Sequence, residues 1–70
     1  MDPLDPLLTL KEELDDAARR ETGWLRLALA LARDKAPAHV VDEAYRNHEL
    51  ARDRRRQLVR HLGASLLSQL

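Results

Sequence analysis

Apolar residues recur through the first half of the chain at alternating spacings of three and four: Leu7, Leu10, Leu14, Ala17, Trp24, Ala28 and Leu31, with Glu21 as the one polar step. That period follows the 3.6-residue turn of an α-helix and lays the residues along one face. Within it, Thr9-Leu10-Lys11-Glu12 has the capping-box spacing, in which the Thr hydroxyl accepts from one unpaired amide and the Glu carboxylate from another. Pro3 and Pro6 precede this box and push their predecessors toward extended conformations. The pattern therefore predicts a flexible arm over residues 1–8 and a first helix from about 9 to 34. Thr22-Gly23 interrupts the stripe. An interior glycine costs ~1 kcal/mol relative to alanine, so this helix is read as continuous or kinked at Gly23.

A second stripe runs through Val41, Ala44, His48, Ala51, Arg55, Leu58 and Leu62, flanked by Val40, Tyr45 and Val59. The connection Asp34-Lys35-Ala36 is short, and Pro37 suits a first helical turn, where its missing amide does no harm. A loop of this length makes the two helices antiparallel neighbours. The second helix is expected from 37 to at least 62. Gly63 is read as a stop or a kink, with Leu66, Leu67 and Leu70 in a further turn. The fold class is all-α: an antiparallel two-helix hairpin, forming a single domain over residues 9–70.

The hairpin predicted in this way is incomplete. Leu25, Leu27, Leu29 and Leu31 alternate, and between residues 24 and 32 only Arg26 is polar. On a helix, Leu27 and Leu31 fall together while Leu25 and Leu29 fall on another side. A helix that is apolar nearly all round is buried on more than one side, and one neighbouring helix covers only one. The second surface calls for a second copy or another protein.

Composition sharpens this need. Seventy residues bury only a thin core, and there is no Cys or Phe, with one Trp and one Tyr to add mass. Chains this small usually lean on a disulfide, a metal or a partner, and the absence of Cys excludes disulfides. Net charge is zero but unevenly spread. Residues 1–16 carry six acidic side chains against Lys11, and residues 46–61 carry six arginines against Glu49 and Asp53. In an antiparallel hairpin, residue 16 lies beside about 56 and residue 12 beside about 60, so the acidic start faces the basic end. Polar residues on the second stripe, His48 and Arg55, are of the kind that specify register in a helical seam. Met1-Asp2-Pro3 has no basic or apolar leader character, and the apolar run 27–32 is far short of the ~20 residues a membrane span needs. A cytoplasmic chain is expected.

Candidate chemistry is sparse. The run Arg52-Asp53-Arg54-Arg55-Arg56 invites a nucleic-acid reading, but no aromatic residue is interleaved for stacking and the acidic block can neutralise it locally, so this is the least favoured partner. His39, His48 and His61 are spaced by 9 and 13, which does not place them on adjacent turns as metal ligands. Ser65 and Ser68 lie in an apolar tail with no positioned base, so no catalysis and no cofactor are expected. What remains is protein binding. The candidate interface residues are Leu14, Leu58 and Leu62 of the stripes, the aromatic residues Trp24 and Tyr45, and the cluster Leu25, Leu27, Leu29 and Leu31.

Several of these features fall together over about residues 10–67: Leu14, Leu25, Leu29 and Leu31, the turn Lys35-Ala36-Pro37-Ala38, then Glu43-Ala44-Tyr45 and the portion 58–62. In this plan the chain resembles the smallest subunit of the bacterial type III secretion needle chaperones. The resemblance implies a cytoplasmic helical-hairpin co-chaperone. It would pair with a larger, tetratricopeptide-like chaperone, the two together holding the needle subunit unpolymerised. Self-association into a homodimeric four-helix bundle is the alternative that closes the same face.

Overall fold

The computed structural model describes residues 5–68, which form two helices, α1 (Asp5–Arg33) and α2 (Ala38–Leu67), packed side by side as an antiparallel hairpin. The molecule is a rod of 51 × 16 × 13 Å.

Helix α1 begins at Asp5, four residues before the expected start at Thr9. The capping-box spacing at Thr9 falls inside the helix, and residues 5–8 of the expected flexible arm are helical; residues 1–4 of it lie outside the described residues. The physical reason is Pro6. In the first turn a proline lacks only an amide hydrogen that has no intrahelical acceptor, and its fixed φ already suits the helix. Starting early also brings Leu7 onto the seam, where it is half-buried. The helix is unbroken through Gly23. A Cβ at that position would meet nothing within 4 Å, so no packing contact requires the glycine.

At its other end α1 closes with a Schellman motif. The Ala36 amide donates to the Leu31 carbonyl at 2.9 Å and the Lys35 amide to the Ala32 carbonyl at 3.2 Å. This geometry needs a left-handed residue between them, and Lys35 supplies it at φ 57°. Glycine is the usual occupant, because a side chain in this conformation costs about 1–2 kcal/mol. Arg33 in the last turn offsets part of that cost by facing the negative end of the helix dipole.

Pro37 stands one position outside α2, as its N-cap, rather than in its first turn. Its carbonyl accepts from the amides of Val40 and Val41, at 3.0 and 3.2 Å. Helix α2 then continues through Gly63 to Leu67, so the glycine neither stops nor interrupts it.

Both sequence stripes face inward. Every residue of the first, from Leu7 to Leu31, and of the second, from Val41 to Leu62, is buried or half-buried. Among the described residues, the buried apolar positions are Ala17, Ala28, Ala44 and Leu58. Three of these four are alanines, which let the backbones approach closely but bury little apolar area. Among the described residues, no large side chain is completely buried. At about 25 cal/mol per Å² of apolar surface removed from water, such a seam contributes less than one built on leucines.

Candidate functional site

The two stripes form heptads, with the seam at the a and d positions: Leu7, Leu14, Glu21 and Ala28 with Leu10, Ala17, Trp24 and Leu31 in α1, and Val41, His48, Arg55 and Leu62 with Ala44, Ala51 and Leu58 in α2. In an antiparallel pair, flanking positions of one kind meet flanking positions of the same kind. The seam therefore has two distinct sides.

One side is polar. A groove of about 470 Å³ opens over Ala17, Trp24 and Ala51, and its walls are Glu13, Asp16, Arg20, Asn47 and Arg54 together with the exposed Leu50. Here Arg54 Nη2 reaches Glu13 Oε2 across the helices at 3.7 Å, and Arg20 Nε pairs with Asp16 Oδ2 at 2.9 Å within α1. The acidic start of α1 thus does meet the basic end of α2, but through Glu13, while Asp15 and Asp16 pair within their own helix. These pairs are exposed and contribute only about 0–1 kcal/mol each.

The other side is apolar. The repeat sets Ala18, Leu25 and Ala32 of α1 beside Tyr45, Val59 and Leu66 of α2, with Leu8 and Leu29 next to them. Leu29 is 50% exposed, Val59 47% and Leu66 48%. Toward the open end of the hairpin the surface dips into a hollow of about 380 Å³ lined by Leu7, Leu8, Leu14 and Leu62 with Lys11 and Asp15. Exposed apolar surface of this extent is characteristic of interaction sites.

Between the two sides, the middle of the seam is held by polar groups. Glu21 is only 18% exposed at its side chain. Arg55 grips its carboxylate with two donors, Nε to Oε2 and Nη2 to Oε1, the second at 3.4 Å. His48 Nδ1 donates to the Glu21 backbone carbonyl at 2.9 Å. The hydrogen bond from Arg55 holds the Glu21 carboxyl below its ordinary value of 4.5 against the opposing effect of burial, and the nearby charges of Arg55, His48 and Arg52 add to this. The same bond raises the Arg55 guanidinium. The groups satisfy one another, and the arrangement is a structural clasp.

The expected interface residues divide accordingly. Leu25, Leu29 and Tyr45 lie on the apolar side. Leu27 is 44% exposed but lies on the opposite side of the seam, in a separate hollow with Trp24, Leu31, Val40 and Asn47. Leu58 is buried between the helices, and Leu14, Trp24, Leu31 and Leu62 are half-buried in the seam, so these residues serve mainly to join α1 to α2. Leu8, Val59 and Leu66 belong to the apolar side but were not among the expected residues. Their signal was the seven-residue recurrence of Tyr45, Val59 and Leu66, which Arg52 interrupts.

Arg52, Arg54, Arg55 and Arg56 do not form one basic stripe: Arg54 turns to Glu13 and Arg55 to Glu21. Among the described residues, no group of three or more His, Asp or Glu is placed to hold a metal ion, and no helix is long and apolar enough to cross a membrane. No family model, curated protein or solved structure matches the chain.

Proposed function

We propose that the chain is a protein-binding adaptor that docks the apolar side of its hairpin on a helical partner. The observation that supports this most directly is the exposed row of Leu29, Tyr45, Val59 and Leu66, with half-buried Leu25 among them, beside a seam whose covered residues are mostly alanine. A thin seam leaves the hairpin dependent on further burial, and the apolar side is where that burial is to be had. In its finer form the proposal follows the resemblance: a co-chaperone that stabilises a tetratricopeptide-like needle chaperone of a type III secretion system.

Co-expression with such a chaperone, followed by native mass measurement, tests both levels. A stable complex that Leu25→Asp or Leu29→Asp disrupts, with helicity of the hairpin retained by circular dichroism, is the expected result. A complex that survives both substitutions means that the docking face is wrong. Absence of a complex with the needle chaperone removes the finer assignment.

A further inference from the structure

The row that α2 contributes to the apolar side is interrupted at its centre by a polar residue. Arg52 occupies the flanking row between Tyr45 and Val59, midway along α2. Its Nε is buried and has no hydrogen-bond partner. The neighbouring Asp53 Oδ1 forms a loose ion pair with it at 3.7 Å, beyond hydrogen-bonding distance, and the side chain as a whole is 37% exposed. The nearest seam carboxylate, Glu21, is already held by Arg55. Asp15, farther along the same side, pairs with Lys11 at 3.6 Å. That Nε is enclosed by the chain's own atoms, so a docking group reaches Arg52 through the exposed part of its side chain. A partner covering this part with apolar residues alone would withdraw more of the guanidinium from water, and a carboxylate is the acceptor that best offsets that cost.

We propose that the apolar side receives an amphipathic helix of another protein, one that carries a carboxylate midway along its apolar face, and that Arg52 is the residue that takes this carboxylate. The proposal rests on the docking reading above and names the chemistry of the partner. The partner's apolar residues on either side of the acid would cover Leu25, Leu29 and Tyr45 toward the loop, and Val59, Leu62 and Leu66 toward the open end.

A second copy of this chain fits the same surface less well. Fully overlapped two-fold pairing through this side places the two Arg52 guanidiniums at the same level of the interface, whether the hairpins run parallel or antiparallel. Like charges in a closing interface oppose association. A partner with an acid at that level turns the same group into an attractive contact.

Three synthetic amphipathic peptides of ~24 residues, enough to reach both apolar ends at 1.5 Å per residue, provide the test. They share a Leu/Ala face and differ only at its central position, which is Glu, Gln or Lys. Fluorescence anisotropy measures each against the full chain, its Arg52→Met and Arg52→Lys variants, and Leu29→Asp, with circular dichroism confirming that each variant is helical. The Glu peptide is expected to bind about tenfold or more tighter than the Gln peptide, with the Lys peptide weakest. Arg52→Met should reduce that preference to about twofold or less while keeping the affinity for the Gln peptide, and Arg52→Lys should restore part of it.

Equal affinity for the Glu and Gln peptides, still lost in Leu29→Asp, would overturn the carboxylate proposal and leave the docking face standing. A Glu preference that persists in Arg52→Met would place the acid on another residue and also overturn it. Failure of all three peptides would overturn the proposal and the docking reading together. A chain dimer that excludes the peptides and is broken by Leu29→Asp would make the occupant a second copy.

Discussion

Along one side of the seam, charges answer charges: Glu13 meets Arg54 and Asp16 meets Arg20 over a groove floored by Ala17 and Trp24. Along the other, Leu29, Val59 and Leu66 are about half exposed, Tyr45 is 36% exposed, Leu25 is half-buried, and Arg52 keeps a buried Nε without a hydrogen-bond acceptor. The same two helices build both sides, so helix formation and hairpin closure do not account for the difference. The polar side completes its interactions within the chain. The apolar side holds exposed apolar area and one arginine, Arg52, set against its chain neighbour Asp53 at 3.7 Å. On the docking proposal, folding and binding are separated on one small rod: the seam sets which helices pair, and the apolar side is left for a partner.

The largest expected effect comes from placing a charge on each side in turn. Leu29→Asp should weaken binding to the helical partner by about 30-fold or more, as for a central interface anchor. Leu27→Asp, on the polar side, should change it by less than about threefold. Isothermal titration of both variants measures the contrast, and equal losses would erase the distinction between the sides.

The next effect lies in the clasp between them. Glu21→Leu removes the acceptor of Arg55 and should lower stability in urea by about 1–2 kcal/mol. Adding Arg55→Met should recover most of the loss, because an apolar pair replaces a partly buried ion pair at little net cost. If the double variant loses helix pairing or changes its native mass, the clasp also sets register.

The clasp carries a pH signature too. The folded-state value of Glu21 is depressed below its ordinary value of 4.5. The unfolded chain therefore binds the proton more readily in the interval between the two values. The contribution of Glu21 is fully present above about pH 4.5 and is lost as pH falls through the folded value. Urea midpoints measured from neutral to acid pH should fall more steeply for the natural chain than for Glu21→Gln.

The smallest effects are conformational and independent of either side. Gly23→Ala meets open space on an unbroken helix and should stabilise by about 1 kcal/mol. Lys35→Gly relieves the left-handed residue of the loop and should gain about 1 kcal/mol. Thermal unfolding followed by circular dichroism reads both, and neither should alter partner binding.

Much of this architecture was legible in the chain. The spacings of three and four identified the inward residues of both helices, since a seam position is set by helical period alone. The short connection and the opposed charge blocks indicated antiparallel pairing, and Glu13 does meet the basic block, at Arg54, about five residues short of the position that register gives. The ends of the helices were less legible. Pro6 reads as a breaker in sequence but is harmless in a first turn, and the Thr9 box is an interior coincidence of residue types. The left-handed Lys35 carries no glycine to announce it. Tyr45, Val59 and Leu66 were hidden as a row because Arg52 falls among them, and the grip of Arg55 on Glu21 depends on a register that spacing gives only approximately.

The central claim is that the apolar side stays open in the isolated chain and waits for another protein. Light scattering of the purified chain across a concentration series tests it most directly. The account predicts a mass near 8.0 kDa throughout the micromolar range. A stable species of twice that mass, dissociated by Leu29→Asp, would contradict it and close the apolar side with a second copy.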